Sequence, residues 1–120
     1  GNLTAGLTNA FAFAWQNPES VEIIVLRLIV ILTVAGGSAT SVLDAGSAAT
    51  ATTASDNLLD GQDLNTTATY NNITNGGTNG RALQIVAANG GASDWITGQI
   101  LTANASSLVG TYRILYVPVS

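Results

Sequence analysis

The chain contains no cysteine, no histidine, no methionine and no lysine, and its only basic residues are 3 arginines. Without cysteine there is no disulfide framework, and the redox compartment leaves no mark on the sequence. Losing histidine and cysteine together removes the usual transition-metal ligands and the commonest general base. The many serines and threonines therefore have neither a histidine nor a lysine to activate them as nucleophiles. Lysine–asparagine isopeptide staples are excluded as well, so burial alone must hold the fold. Arg27, Arg81 and Arg113 are too few and too scattered to form the cationic surface that phosphates require, and no direct nucleic-acid binding is expected. With no methionine anywhere, the initiator was either removed ahead of Gly1 or lost with cleaved residues.

Charge of either sign is scarce. Charged residues make up 8% of the chain, and 7 acids against 3 arginines leave a net charge of −4. Soluble domains carry about 25% charged residues. Asn, Thr, Ser and Gly fill the polar positions instead, and such a surface does little to hold copies apart. It suits a protein that lives packed against others, or an extracellular one.

What is present points to one β-rich domain. A length of 120 residues with 47% apolar content supports a single core. The longest apolar stretch, "VEIIVLRLIVILTVAGG" at 21–37, contains Glu22 and Arg27 and is rich in Val and Ile. A membrane helix needs roughly 20 residues with few or no charges, whereas β-branched residues favour extended chain. The stretch reads as a long buried strand and no membrane span is expected. Ile24, Leu26, Leu28, Val30 and Leu32 occupy its even face, and Val21, Ile23, Val25, Arg27, Ile29 and Ile31 its odd face. Both faces are apolar except near Arg27, so both require cover: one from an opposing sheet, the other from a further layer, an arm or a subunit.

Just upstream, "NAFAFAWQNPES" alternates Phe11, Phe13 and Trp15 with alanines, the period-2 signature of a strand with one bulky face. Pro18 ends it. Residues 1–9 are small and polar and read as a flexible N-terminal arm, leaving residues 10–120 as the domain. Further strands are expected within 39–48, over 81–87, in "ASDWITGQILTA", and at the end in "GTYRILYVPVS", where Pro118 marks an edge. Residues 50–80 form a long decorated connection with a helical turn expected near Ser55–Leu59. Asn75-Gly76, Asn79-Gly80 and Asn89-Gly90-Gly91 are turn signals. Short strands between Gly/Asn turns, with no convincing helix, predict an all-β, single-domain sandwich of jelly-roll-like topology.

Candidate sites are few. Asp56, Asp60 and Asp63 share one loop, where they serve either as weak calcium ligands or as turn and capping residues. Their spacing does not match an EF-hand. Four Asn-X-Ser/Thr sequons begin at Asn2, Asn65, Asn72 and Asn104. No catalytic residue, cofactor site or small-molecule substrate site can be assembled, so no enzyme is expected. The interface candidates are Phe11, Phe13 and Trp15, whose exposure would invite aggregation; Trp95, a lone tryptophan; and Arg27 and Arg113, isolated cations in apolar strands.

Several stretches together, "WQNPE", "VLDAGSA", "ASDNLLDG", "NGGTNG" and "ITGQ…LVGTYRILYV", resemble small β-sandwich proteins encoded among the head genes of tailed bacteriophages. The resemblance covers roughly residues 11–117. It implies a virion structural protein of the capsid decoration, or cement, type on the outer surface of the capsid. The partners it implies are the major capsid protein and further copies of the chain, as a homotrimer. Two other readings compete: a receptor- or glycan-binding fibre or adhesin module using Trp95 or Tyr70, and a filament subunit whose N-terminal strand completes its neighbour.

Overall fold

The structure is a computed structural model and describes residues 1–38 and 40–119. Ala39 and Ser120, which fall within two of the expected strand segments, lie outside the described residues. Eight strands are formed: β1 (Phe11–Gln16), β2 (Ile23–Val34), β3 (Val42–Ala48), β4 (Leu59–Asp63), β5 (Thr69–Asn71), β6 (Gln84–Val86), β7 (Trp95–Thr102) and β8 (Val109–Pro118). There is no helix among the described residues. The turn expected at Ser55–Leu59 is instead a bend that leads straight into β4.

Two antiparallel sheets face each other. One has the order β1-β7-β3-β4. The other is built around β2, with β8 along one side and β5 and β6 in tandem along the other. The all-β sandwich read from the sequence is the observed architecture. β1 pairs antiparallel with β7, and β2 antiparallel with β8. The NGG turn between β6 and β7 is present, with Gly90 at a positive φ of 85° that a side chain would disfavour.

Two bulges reset the faces that simple alternation assigns. In β2 the pairing with β8 shifts between Val25 and Arg27, inserting one residue. Ile23 and Val25 point inward before the bulge, and Leu28, Val30 and Leu32 after it; all five are buried. The core face is therefore odd-numbered first and even-numbered afterwards, which corrects the two-face assignment made from periodicity. In β1 the register shifts between Phe11 and Phe13. Phe13 and Trp15 turn inward, Ala12 is fully buried, and Phe11 lies opposite Gln99 on the outer side.

The aromatic stretch thus belongs largely to the protein's own core. Phe13 stacks on Tyr112 with ring centroids 4.3 Å apart, and Trp15 meets Tyr116 at 5.5 Å, so both pairs bridge the two sheets. Burying one such ring contributes about 1.5–3 kcal/mol, and the ring pairing about 0.5–1.5 kcal/mol more. Gly98, opposite Phe13 on β7, makes room for this: a Cβ there would overlap the Phe13 ring. Around these rings lie Ile23, Leu28, Leu43, Leu58, Leu59, Leu64, Ile96 and Ile100, all fully buried.

Residues 1–9 are an arm laid against the body. Leu3 N–H donates to Gly110 O, Tyr112 N–H donates to Gly1 O, and the Gly1 ammonium donates to Tyr112 O. Gly6 and Ala105 exchange backbone bonds, and the Leu3 side chain is buried in the core. The segment pairs with the edge of β8 next to Gly110–Tyr112, where a β-bridge joins Asn2 to Thr111.

Candidate interaction surface

The two sheets treat their outer faces differently. Over the first sheet the chain provides its own cover: Thr97 Oγ1 donates to Thr53 O, and Asn57 is seated against Ser47 through both its amide groups. Thr97 and Gly46, which alternation places on that outer face, are buried as a result. Over the second sheet no such loop passes among the described residues.

Residues directly opposite in an antiparallel pair share a face, so the outer face of the second sheet can be read row by row. Ile85, Ile24 and Val117 form one row; Arg27 and Leu115 form the next; Asn71, Ile29 and Arg113 follow; Thr69, Ile31 and Thr111 complete it. Leu83 and Leu26 border the first two rows. At this end Leu26, Leu83, Ile85, Leu115 and Val117 are exposed, from 40% at Leu26 to 62% at Ile85, around a half-buried Ile24. Arg27 and Arg113 are exposed among them and form no ion pair with any described residue. Glu22, exposed just before β2, stands at the end of the same face, two residues from Ile24.

The other interface candidates separate from this surface. Phe13 and Trp15 are spent inside the sandwich. Phe11 and Trp95 lie partly buried on the outer side of the first sheet, Trp95 opposite Gln16 and Ala48. Tyr70 is buried with its hydroxyl donating to Thr66 O at 2.6 Å, which removes it as a sugar platform.

The acidic loop is rearranged relative to its sequence reading. Asp63 is turned away, its Oδ1 accepting from Asn65 N–H. Asp44 of β3 takes its place: Asp44, Asp56 and Asp60 bring carboxylate oxygens within 4.8 Å of one another. Asp44 and Asp56 line an open hollow of about 220 Å³ together with Ala54, Ser55, Gln99 and Leu101. Burial first, then the neighbouring Asp60 and Asp56 charges, push the Asp44 pKa up, while the Gly61 N–H donated to its Oδ1 opposes this. Asp60 and Asp56 each accept from Asn79, through its backbone N–H and its side-chain amide respectively. Oxygen ligands of this kind suit a hard cation such as calcium. Within the chain, the corner ties the 72–80 loop to β4 and to Asp56 before it, and β4 to β3 through the Gly61–Asp44 bond.

Buried asparagines are the residues that sequence reasoning passed over. Asn17 is fully buried, donating from Nδ2 to Val21 O and Ala87 O. Asn72 bridges the gap in β2's flank between β5 and β6: its Oδ1 accepts Leu28 N–H at 2.8 Å, and its Nδ2 donates to Arg81 O and Ala82 O. Asn72 opens one of the four sequons, and its burial denies a glycan access in the folded state. In a chain this rich in Asn, no sequence signal separates these two from the surface asparagines.

Comparison of the chain with protein-family models, with curated proteins and with solved structures finds no match.

Proposed function

We propose that this chain is a non-enzymatic structural protein of a virion, a capsid decoration or cement protein that reinforces the head shell from its outer surface. The observation that carries the docking part of this reading is the exposed apolar face of β8, β2 and β6, where Arg27 and Arg113 form no ion pair with any described residue. A contiguous exposed apolar patch on a small protein is often an interaction site. The sparse charge of the chain supports the same reading, since such a surface offers little repulsion to a neighbour. The virion assignment itself rests on the sequence resemblance. Its partners are then the major capsid protein and further copies of the chain. The glycan-binding alternative has lost Tyr70 to the interior, and the strand-donating filament alternative has its N-terminal segment bonded to its own β8 and its β1 paired with its own β7.

The test is the copy number of the chain relative to the major capsid protein in particles purified from its source. Hundreds of copies in a simple ratio to the shell subunits are expected. A handful would shift the assignment to a fibre or vertex protein, and absence from every particle would retire it.

A further inference from the structure

Three Asn-Gly pairs lie in the turns of this chain: Asn75-Gly76, Asn79-Gly80 and Asn89-Gly90. An asparagine followed by glycine can cyclise, because the glycine nitrogen can attack the side-chain amide carbon with no Cβ to obstruct it. The folded chain decides which pair does so. The glycine N–H must be free to give up its proton, and the asparagine amide nitrogen free to leave. A donor on the amide oxygen, where negative charge develops, helps further. At Asn89-Gly90 the Gly90 N–H is held by Asp94 Oδ2 at 2.8 Å, so removing its proton would set an anion against a carboxylate. Asn89 Nδ2 is also tied, to Asn17 O. At Asn79-Gly80 the Gly80 N–H donates to Gly76 O at 3.1 Å, and Asn79 Nδ2 donates to Asp56. Asn75-Gly76 is arranged the other way round. The Gly76 N–H and the Asn75 amide nitrogen donate to no described residue. Asn75 Oδ1 accepts the Asn71 N–H at 3.0 Å, and the Asn75 N–H returns to Asn71 O at 2.8 Å, which holds the residue with its amide carbon polarised. Gly76 is buried and Asn75 half-buried, so water reaches the pair from the Asn75 side.

We propose that Asn75 is a self-modification site, deamidated in the folded protein by attack of the Gly76 nitrogen on its side chain. The Gly76 nitrogen gives its proton to hydroxide and bonds to Asn75 Cγ, and the electron pair displaced onto Oδ1 is held by the Asn71 N–H. Return of that pair breaks the Cγ–Nδ2 bond, and Nδ2 leaves as ammonia with a proton taken from water. Water then opens the cyclic imide at either carbonyl. Opening at Cγ leaves an aspartyl residue; opening at the backbone carbonyl leaves an isoaspartyl residue, with one extra atom in the main chain. The balance is one water consumed and one ammonia released, with no oxidant and no second protein. Either product adds one negative charge to a chain of net charge −4. The aspartyl product keeps the Asn71 N–H in a stronger, charge-assisted bond. The isoaspartyl product displaces Gly76, whose carbonyl receives the Asp60 N–H at 3.0 Å and the Gly80 N–H. It therefore releases the 72–80 loop from β4. This chemistry is independent of what the β2 sheet docks against.

The test is incubation of the purified chain at mildly alkaline pH, folded and in concentrated urea, followed by peptide mapping with tandem mass spectrometry. Deamidation raises the mass of the affected peptide by about 1 Da, and fragmentation separates Asn75 from Asn79. In urea the three pairs should react at similar rates. In the folded protein Asn79 and Asn89 should slow at least about tenfold, because each must first open locally. Asn75 should stay within about threefold of its unfolded rate, the Asn71 donor offsetting the loss of chain freedom. Asn75→Gln, whose ring would need a sixth member, should remove the first acidic species seen on anion exchange, with far-UV circular dichroism confirming that the variant folds. Folded-state protection of Asn75 equal to that of the other two overturns the proposal. So does faster reaction at Asn79 or Asn89 in the folded chain, or persistence of that acidic species in Asn75→Gln.

Discussion

Replacing Asn72 with alanine should destabilise the protein more than any surface feature of the residue suggests. The side chain is 2% exposed and makes three hydrogen bonds, to Leu28 N–H at 2.8 Å, Arg81 O at 2.8 Å and Ala82 O at 3.1 Å. Its backbone N–H also reaches Leu28 O, so that Asn72 stands in for a paired strand residue where β5 has ended and β6 has not begun. Alanine keeps that backbone contact and strands the Leu28 N–H, which is fully buried and has no water to turn to. An orphaned buried donor costs about 1–3 kcal/mol. The two carbonyls belong to exposed residues and find water more easily, adding about 1 kcal/mol between them. The expected loss is therefore about 2–4 kcal/mol, a large share of the 5–15 kcal/mol typical of a domain. At roughly 4 °C per kcal/mol for a chain of this size, the melting temperature should fall by about 8–16 °C. Urea unfolding followed by tryptophan fluorescence, with Thr78→Ala as an exposed-loop control, measures it. A change below about 1 kcal/mol would show that the gap in the β2 ladder is filled by something other than this side chain.

Two further outcomes are expected. Leu3→Ala should cost about 2 kcal/mol, the low end for a buried leucine because the terminus frays; a loss below about 0.5 kcal/mol in a thermal melt would mean that residues 1–9 are a free arm after all. Asp44 has a folded-state pKa raised above its ordinary value, so the folded state binds its proton more tightly and acidification through that value adds stability. Asp44→Asn should accordingly be at least as stable as wild type at neutral pH, with its advantage shrinking as pH falls toward 4. Parallel urea titrations of the two proteins check the sign, and an advantage that grows on acidification would refute it.

The legible part of this protein was its class. Alternating and continuous apolar runs of Val, Ile and aromatic residues, punctuated by Asn-Gly turns, are local properties of the chain, and they suffice for an all-β sandwich with β2 at its centre. The lack of His, Cys and Lys likewise constrains chemistry without reference to any fold. Pairing is not local, so the order β1-β7-β3-β4 and the tandem of β5 and β6 on one flank of β2 had no signature to read. A bulge is decided by the partner strand: one inserted residue in β2 exchanged the inner and outer faces beyond Val25, and one in β1 sent Phe11 outward while Phe13 and Trp15 went in. The acidic corner shows the same division. Asp56 and Asp60 are near in sequence and could be named together, but Asp44 joins them only because β3 pairs with β4. Nor could the sequence tell which asparagines would be buried, since Asn17 and Asn72 differ from their neighbours only in the unpaired backbone groups that folding brings to them. That one face of the sandwich is covered by the chain's own 49–57 loop, and the other left apolar with Arg27 and Glu22 at its margins, is a decision of tertiary packing alone.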